Sequence, residues 1–263
     1  MEKRLKGDFK EVEYEFELDK MKLTLVHNGK KYEKELLDTK NGKLIEAFKS
    51  GNVFLDTPEE ELFLDKTLYY CSRSVLVTFS GDAEVYMDVL LYNDEKDVIY
   101  PGALNRSQGH CNQKQQVEYH QVMDGEIISI CTSPEGESYY GFFGKGDYIH
   151  VPKGWFHCTY VVKAPAIVAN FYCNTPWGDR VECKPYFSID NEFSVERSLK
   201  PDQFVLKKKG CDTQVLISKE NVKPFDELGI STYDYLKKEK KVRTQYPNDN
   251  IFDFIYKLDL TKE

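Results

Sequence analysis

Histidine and carboxylate side chains with a spacing that suits metal ligands lie in the middle of the chain. Four of its five histidines fall between His110 and His157. Side chains alternate between the two faces of a β-strand, so Glu118 and His120 would share one face. The same alternation places His110 and Asn112 together on the run before. Two neighbouring strands with this pattern would aim imidazole and carboxylate groups at one point, which predicts a metal site.

A second spacing, Gly146-x5-Pro152-x-Gly154-x2-His157, occurs in the segment GDYIHVPKGWFH. A glycine suits the turn before a strand, and a proline-glycine corner ends one strand and begins the next. His157 would then lie near the beginning of the following strand. The corner therefore places a third candidate ligand opposite the first two runs.

The composition indicates a folded, acidic protein. With 263 residues, of which 41% are hydrophobic and 14% aromatic, the chain can bury a sizeable core. Its net charge of -8 argues against a general nucleic-acid or anionic-membrane surface, because such binding depends on clustered Lys and Arg. The charged N-terminus lacks the apolar core of a signal peptide, and the seven cysteines form no C-x2-C pair. We expect a cytoplasmic protein with reduced thiols and no nucleic-acid or membrane partner.

Three units are predicted along the chain. Residues 68–195 consist of short β-rich runs separated by Gly, Asp and Pro, which is typical of an antiparallel jelly-roll barrel. Residues 1–67 form an α+β extension with an Asn28-Gly29 hairpin turn and short helices near 44–48 and 57–61. Residues 196–263 form a second extension that packs on the barrel. The predicted fold class is therefore all-β with α+β extensions.

Two segments predict self-association. Residues 12–18 alternate apolar and acidic side chains in the manner of a half-exposed strand, and residues 251–260 read IFDFIYKLDL, a largely apolar run. Exposed strand edges invite pairing with a second copy. We therefore expect a homodimer.

These motifs resemble those of the cupin superfamily, a group of β-barrel proteins. Its first motif runs H-x-H, a few residues, E, x6, G, and its second runs G-x5-P-x-G-x2-H, which this chain matches in full up to His157. The segments SQGHCNQKQQVEYHQVMDG and HVPKGWFH are most similar to the cupin-type glucose-6-phosphate isomerases of archaea and some bacteria. Pro165 followed by Tyr172 extends the likeness, which covers roughly residues 80–190. The resemblance implies a cupin-type barrel and an enzyme of carbohydrate metabolism.

The resemblance also implies that His110, Glu118 and His157 bind one divalent metal ion, either iron(II), manganese, nickel or zinc. Asn112 stands where the family has a second histidine, and its weaker amide oxygen shifts the preference toward harder ions such as manganese or iron(II). His120 stands where the family has a tyrosine near the substrate. Three roles for His120 stay open: metal ligand, acid-base group at the substrate, or buried barrel histidine.

The substrate side of the site is likewise implied by the resemblance. Asp88 or Val89 replaces a threonine that helps to hold phosphate, and a carboxylate would repel a sugar phosphate. Arg106 and Arg180 could restore positive charge, because a guanidinium makes paired bonds to phosphate; the alternative for each is a surface position. Four residues occupy substrate-binding positions of the family: Ser107, Gly109, Tyr172 and Arg180.

The resulting functional hypothesis is a metal-dependent aldose-ketose isomerase acting on a sugar or sugar phosphate, of the glucose-6-phosphate/fructose-6-phosphate type. This reaction moves a proton between C1 and C2, so the site needs a Lewis acid and a base, for which Glu118 and His120 are the candidates. One alternative is a non-catalytic, sugar-binding or regulatory cupin. Another is a cupin dioxygenase, although Asn112 breaks the histidine set that many of those use.

Overall fold

The computed structural model describes residues 4–9, 12–51, 53–80, 83–111, 118–152, 154–174 and 192–239. Side chains are described throughout these ranges except at 78–80, 83–84 and 173–174. Asn112, Arg180 and the apolar segment 251–260, on which predictions were made above, lie outside the described residues.

Strands dominate the described chain. In sequence order they are β1 (Arg4–Phe9), β2 (Val12–Glu17), β3 (Lys22–His27), β4 (Lys30–Glu35), β5 (Leu37–Lys40), β6 (Thr67–Ser80), β7 (Ala83–Tyr92), β8 (His110–Cys111), β9 (Glu118–Thr132), β10 (Ser138–Gly144), β11 (Tyr148–Val151), β12 (Phe156–Asn174), β13 (Phe193–Arg197), β14 (Gln203–Lys208), β15 (Gln214–Ser218) and β16 (Ile230–Thr232). The helices are α1 (Gly42–Lys49), α2 (Tyr233–Lys238) and two 3₁₀ turns at Glu59–Glu61 and Asp226–Leu228.

A nine-stranded sheet forms the centre of the molecule. Seven of its strands follow the order β16-β10-β9-β12-β7-β6-β5, and the other two, β11 and β8, pair with β9 and β12 off this path. The long strands β9 and β12 pair with each other in two stretches. The first part of β9 also bonds β11 and its second part bonds β10, whereas β12 begins beside β8 and ends beside β7. Apart from the parallel β10–β16 pair, the pairs are antiparallel. The sheet therefore folds over into two layers that share β9 and β12.

Gly125 marks the corner at which β9 passes from one layer to the other. The β9–β12 register shifts between Val161 and Val168, directly opposite this glycine. Gly125 has φ +76, and a Cβ atom there would lie 2.5 Å from the carbonyl oxygen of Pro165. Both the left-handed backbone and the close approach require glycine. This explains physically why a glycine follows Glu118 at the motif spacing.

Two smaller sheets cover the outer faces of the barrel. The N-terminal sheet β1–β4 shares a core cluster with the outer side of β7, β9 and β12, whereas the C-terminal sheet β13–β15 shares one with β10 and the other halves of β9 and β12. A third cluster fills the space between the two barrel layers, together with residues of α1 and α2. The barrel therefore has one interior and two covered outer faces.

The predicted all-β fold class, an antiparallel barrel with α+β extensions, is confirmed. The hairpin turn is also confirmed, because Asn28 and Gly29 have φ values of 49 and 71. The helix predicted near 57–61 is wrong beyond one turn: only Glu59–Glu61 forms a 3₁₀ helix, and none of its residues is buried. A run of glutamates without an apolar face has nothing to pack against the core. The boundaries of the three units stay a prediction.

Other features of the described chain bear on its chemistry. The five cysteines that the structure describes fully are free, and Cys71, Cys131 and Cys158 among them are buried. Within the described ranges, no helix is long and apolar enough to cross a membrane.

Replacing Gly125 tests whether the corner requires glycine, and Gly146, which has positive φ but open surroundings, is the control. We expect Gly146→Ala to cost about 1–2 kcal/mol of unfolding free energy, because its backbone is left-handed but its surroundings are open. Gly125→Ala should cost about 2 kcal/mol more, because its Cβ would also meet three backbone atoms within 2.7 Å. Urea unfolding of both variants measures the difference. Equal losses would show that the corner tolerates a side chain.

Candidate metal centre

Three strands bring the predicted metal ligands together. Glu118 begins β9, His157 is the second residue of β12, and His110 begins β8 and lies opposite His157 in the β8–β12 ladder. His120, two residues after Glu118, points to the same side of β9, as strand alternation predicts. The cluster therefore depends on β9 and β12 being neighbours and on β8 joining the free side of β12.

The carboxylate of Glu118 lies at the centre of the cluster. Its Oε2 atom is 3.5 Å from His110 Nε2 and 3.4 Å from His157 Nε2. Its Oε1 atom is 3.1 Å from His120 Nε2. The ligand atoms of His110, Glu118 and His157 all lie within 4.8 Å of one another. Glu118 is buried, whereas the His110 side chain is 30% exposed, so His110 marks the side from which solvent reaches the cluster.

Electrostatics keep Glu118 and His110 in the form that binds metal. Burial raises the pKa of Glu118, but the electrostatic attraction of the imidazoles beside it, of which His157 contributes most, holds that pKa well below its usual range. Burial, reinforced by the charge of His157, lowers the pKa of His110 from its ordinary value of 6.5. At neutral pH the cluster therefore presents an ionised carboxylate and a neutral His110 imidazole, and metals require both forms.

The cluster fits a divalent transition metal. Glu118 Oε2 is buried and accepts no hydrogen bond from the described residues, although two imidazole nitrogens face it. Two histidines and a glutamate are a frequent donor set for such ions, with ligand bonds of about 2.0–2.2 Å. Ligand atoms on a tetrahedral or octahedral ion then lie about 3.0–3.5 Å apart. The two contacts at Oε2, 3.4 and 3.5 Å, agree with this spacing.

His120 acts on the carboxylate from the other side. An ionised carboxylate only accepts hydrogen bonds, so His120 Nε2 must carry the proton in the 3.1 Å contact with Glu118 Oε1. Its Nδ1 atom is buried and has no hydrogen-bond partner in the described structure. In a neutral imidazole this second nitrogen is a hydrogen-bond acceptor. The structure therefore adds to the predicted roles of His120 that of an orienting partner of Glu118.

Ser107 and Gly109 support the backbone that leads to His110. The Ser107 hydroxyl accepts a hydrogen bond from the backbone N–H of Thr159 at 3.0 Å, and its own N–H donates to the Thr159 carbonyl at 2.8 Å. Gly109 has φ +75, and a Cβ there would lie 2.7 Å from the ring of Phe156. These contacts hold the segment against β12. A substrate-binding role for either residue stays a prediction.

Tyr172 lies beside Glu118 on the inner face, because the two residues are opposite each other in the β9–β12 ladder. Its ring stacks on Tyr86, with centroids 5.4 Å apart. Its hydroxyl lies 3.4 Å from Asp88 Oδ1. The predicted substrate partner is thus adjacent to the metal cluster, and its substrate contact stays a prediction.

The prediction that Arg106 supplies positive charge to the substrate is wrong. Its guanidinium is buried and donates to the hydroxyl of Tyr160 at 3.0 Å. Tyr160 in turn donates to the carbonyl of Phe193, in the C-terminal sheet. Tyr160 is three residues from His157 on one strand, so it faces the opposite side. Arg106 therefore belongs to the outer cluster under β13–β15.

Sequence reasoning missed Arg73, which is the residue that compensates the charge of Asp88. Asp88 is fully buried, and its Oδ2 lies 2.5 Å from Arg73 Nη1. The backbone N–H of Ser74 donates to Asp88 Oδ1 at 2.7 Å. A bulge in β6, with φ 49 at Ser74, makes both contacts possible. No spacing in the sequence signals such a bulge.

Comparisons with known proteins give limited similarities. No protein-family model matches the chain, and no curated protein matches it. Among solved structures, a tryptophan-to-tyrosine variant of oxalate decarboxylase from Bacillus subtilis is 15% identical, with a TM-score of 0.31, over 40% of this chain and 25% of that one. A structure of oxalate oxidase is 16% identical, with a TM-score of 0.28, over 35% of this chain and 42% of that one.

A third solved structure, KdgF from Halomonas sp., is 10% identical, with a TM-score of 0.29, over 40% of this chain and 79% of that one. The similar region thus spans about a quarter of the oxalate decarboxylase chain and less than half of the oxalate oxidase chain. In all three comparisons it also covers less than half of the present chain.

Proposed function

We propose that this protein is a metal-dependent aldose-ketose isomerase acting on a sugar or sugar phosphate. The observation that supports this most directly is the buried, ionised Glu118 carboxylate with three imidazole nitrogens within 3.5 Å of its oxygens. Such a cluster provides both a metal site and a further histidine for proton transfer. The motif resemblance to cupin-type sugar phosphate isomerases supports the same reaction.

In this proposal His110, Glu118 and His157 hold the ion. A divalent ion held by these three residues would supply a Lewis acid for the oxygens of an open-chain sugar. Glu118 is occupied as a ligand, and coordination lowers its basicity. The proton is therefore moved by another group.

His120 is that group in our proposal. Its Nε2–H is engaged with Glu118 Oε1, which leaves the lone pair of Nδ1 as the proton acceptor. Nδ1 takes the proton from C2 of the aldose and returns it to C1, while the hydroxyl proton on O2 passes to O1, so that the carbonyl and the hydroxyl group exchange places. The contact with Glu118 fixes the ring, so the same nitrogen can serve both steps. Tyr172, beside Glu118 in the ladder, contacts a sugar hydroxyl.

Metal binding is the first test. Purified protein dialysed against manganese, iron(II), nickel or zinc should retain about one ion per chain, as measured by elemental analysis. Glu118→Gln should lower the affinity by about 100-fold or more, because it replaces the anionic ligand. Glu126→Gln is the matched control: Glu126 lies on the same strand but pairs with Lys219 away from the cluster. Retention below about a tenth of an ion per chain would favour a sugar-binding protein without turnover.

The pH dependence of metal affinity provides a second test. Protons compete with the ion for the imidazole nitrogens, and affinity falls once the histidines are protonated. Because burial lowers the pKa of His110 below 6.5, His110 itself should not weaken binding until the solution is more acidic than that value. Calorimetric titrations with manganese between about pH 5 and pH 8 measure the profile. A loss of affinity that is complete by pH 7 would contradict the neutral state assigned to His110.

Turnover is the third test. The metal-loaded protein should interconvert an aldose and its ketose, and in deuterium oxide the product should carry deuterium at the carbon that receives the proton. Glucose and fructose, mannose and fructose, and glucose 6-phosphate and fructose 6-phosphate form the substrate panel. His120→Asn should lower kcat by about 10²- to 10⁴-fold while the ion is retained, since it removes the proton-transfer group.

The hairpin histidine supplies the control for this experiment. His27 ends β3, far along the chain from the cluster, so His27→Asn should leave kcat unchanged. Turnover that survives His120→Asn would remove His120 from the mechanism. Absence of turnover and of deuterium incorporation with every pair in the panel would overturn the isomerase assignment.

A further inference from the structure

A row of polar side chains crosses three strands beside the metal cluster. Asp88 on β7 lies opposite Asn170 on β12, which lies opposite His120 on β9. Neighbouring strands are about 4.8 Å apart, so the row extends about 10 Å from His120 to Asp88. The three side chains project from the same face of the sheet, because residues opposite each other in a ladder share a face.

That face is the interior of the barrel. The residues next to the row on each strand, Met87 and Val89, Ala169 and Phe171, and Tyr119, pack in the cluster shared with the N-terminal sheet. Alternation therefore turns Asp88, Asn170 and His120 inward. The polar row therefore continues from the metal cluster along the interior wall.

The charge of the row is already balanced at Asp88. Arg73 Nη1 lies 2.5 Å from one carboxylate oxygen, and the other accepts from the Ser74 backbone N–H at 2.7 Å. Tyr172 adds its hydroxyl at 3.4 Å. Arg73 is therefore engaged by Asp88, and its positive charge is offset before a ligand arrives.

Asn170, in the middle of the row, has an unmet hydrogen-bonding need. Its side-chain oxygen Oδ1 is buried and has no hydrogen-bond partner among the described residues. A buried acceptor needs a donor. A sugar hydroxyl donates a hydrogen bond, whereas a phosphate dianion carries only acceptor oxygens and would find the charge of Arg73 already engaged by Asp88.

We propose that the Asp88–Asn170 row selects an unphosphorylated sugar, one of whose hydroxyl groups donates to Asn170 Oδ1. This proposal rests on the proposed function for the placement of the reacting carbons at the cluster. It narrows the substrate class from sugars and sugar phosphates to neutral, polyhydroxylated sugars. The Arg73–Asp88 pair makes the wall neutral and thereby disfavours a phosphate group.

Binding measurements test this without relying on turnover. Calorimetry on manganese-loaded protein should give a dissociation constant for fructose at least about tenfold lower than that for fructose 6-phosphate. Asn170→Leu should weaken fructose binding by about tenfold, because leucine has a similarly branched side chain but no hydrogen-bond acceptor. Asn221→Leu is the control: this asparagine is exposed in a turn after β15, and fructose binding should not change.

Asp88→Asn is the second variant, and we expect it to raise the affinity for fructose 6-phosphate. The amide oxygen can still accept from the Ser74 N–H, so the bulge should persist, while Arg73 loses its counter-charge. Affinity for fructose 6-phosphate should rise by about tenfold, and affinity for fructose should change little. Circular dichroism of each variant verifies that the fold is retained.

The outcomes separate this proposal from the isomerase assignment. Tighter binding of fructose 6-phosphate than of fructose by the wild-type protein, or no binding of fructose, would overturn the proposed selection. Unchanged fructose binding in Asn170→Leu would also overturn it. Selective binding of fructose without isomerisation would leave the selection standing and overturn only the reaction. Isomerisation of glucose 6-phosphate and fructose 6-phosphate, with no activity on the free sugars, would leave the isomerase assignment standing and overturn the proposed selection.

Discussion

The burial of one carboxylate governs this structure. Glu118 is almost completely inaccessible and ionised, and an isolated charge in such surroundings is strongly unfavourable unless partners compensate for it. The partners are three imidazoles, one from each of the strands β8, β9 and β12. The barrel must therefore bring these strands into register at one end. The bend at Gly125 contributes by letting β9 belong to both layers while its first residues stay in the interior.

The two covering sheets serve the same constraint from outside. Strands β9 and β12 carry apolar side chains on their outer faces, and those faces are buried against β1–β4 at one end and β13–β15 at the other. Because apolar side chains are also buried on the outer faces, the interior does not have to supply all of the apolar packing. Polar residues such as His120, Asn170 and Asp88 can then occupy inward positions, although each inward polar group still needs a partner. The two covering sheets thus allow polar residues to occupy the interior of the barrel.

The sequence was sufficient for the parts of the site that depend on alternation and local turns. The shared face of Glu118 and His120 follows from a spacing of two, and the positions of Gly125 and His157 follow from motifs with a steric basis. The side of the sheet on which Arg106 lies could not be predicted, because Arg106 is outside the named strands and reaches β12 through an isolated bridge to Tyr160. The Arg73–Asp88 pair depends on a bulge in β6 that leaves no compositional trace. Likewise, the acidic run at 57–61 satisfies local helix-start preferences, but no packing extends it beyond one turn.

The short strand β8 has a consequence for the stability of the whole protein. Among the described residues, His110 and Cys111 form two ladder positions against β12, a short pairing compared with that of the long strands. An ion shared by His110, Glu118 and His157 would tie β8 to two long strands and close loops between distant parts of the chain. Such a cross-link exists only while the ion is bound, so its contribution would follow the free metal concentration by mass action. The folding equilibrium of this barrel would then report how much metal its surroundings supply.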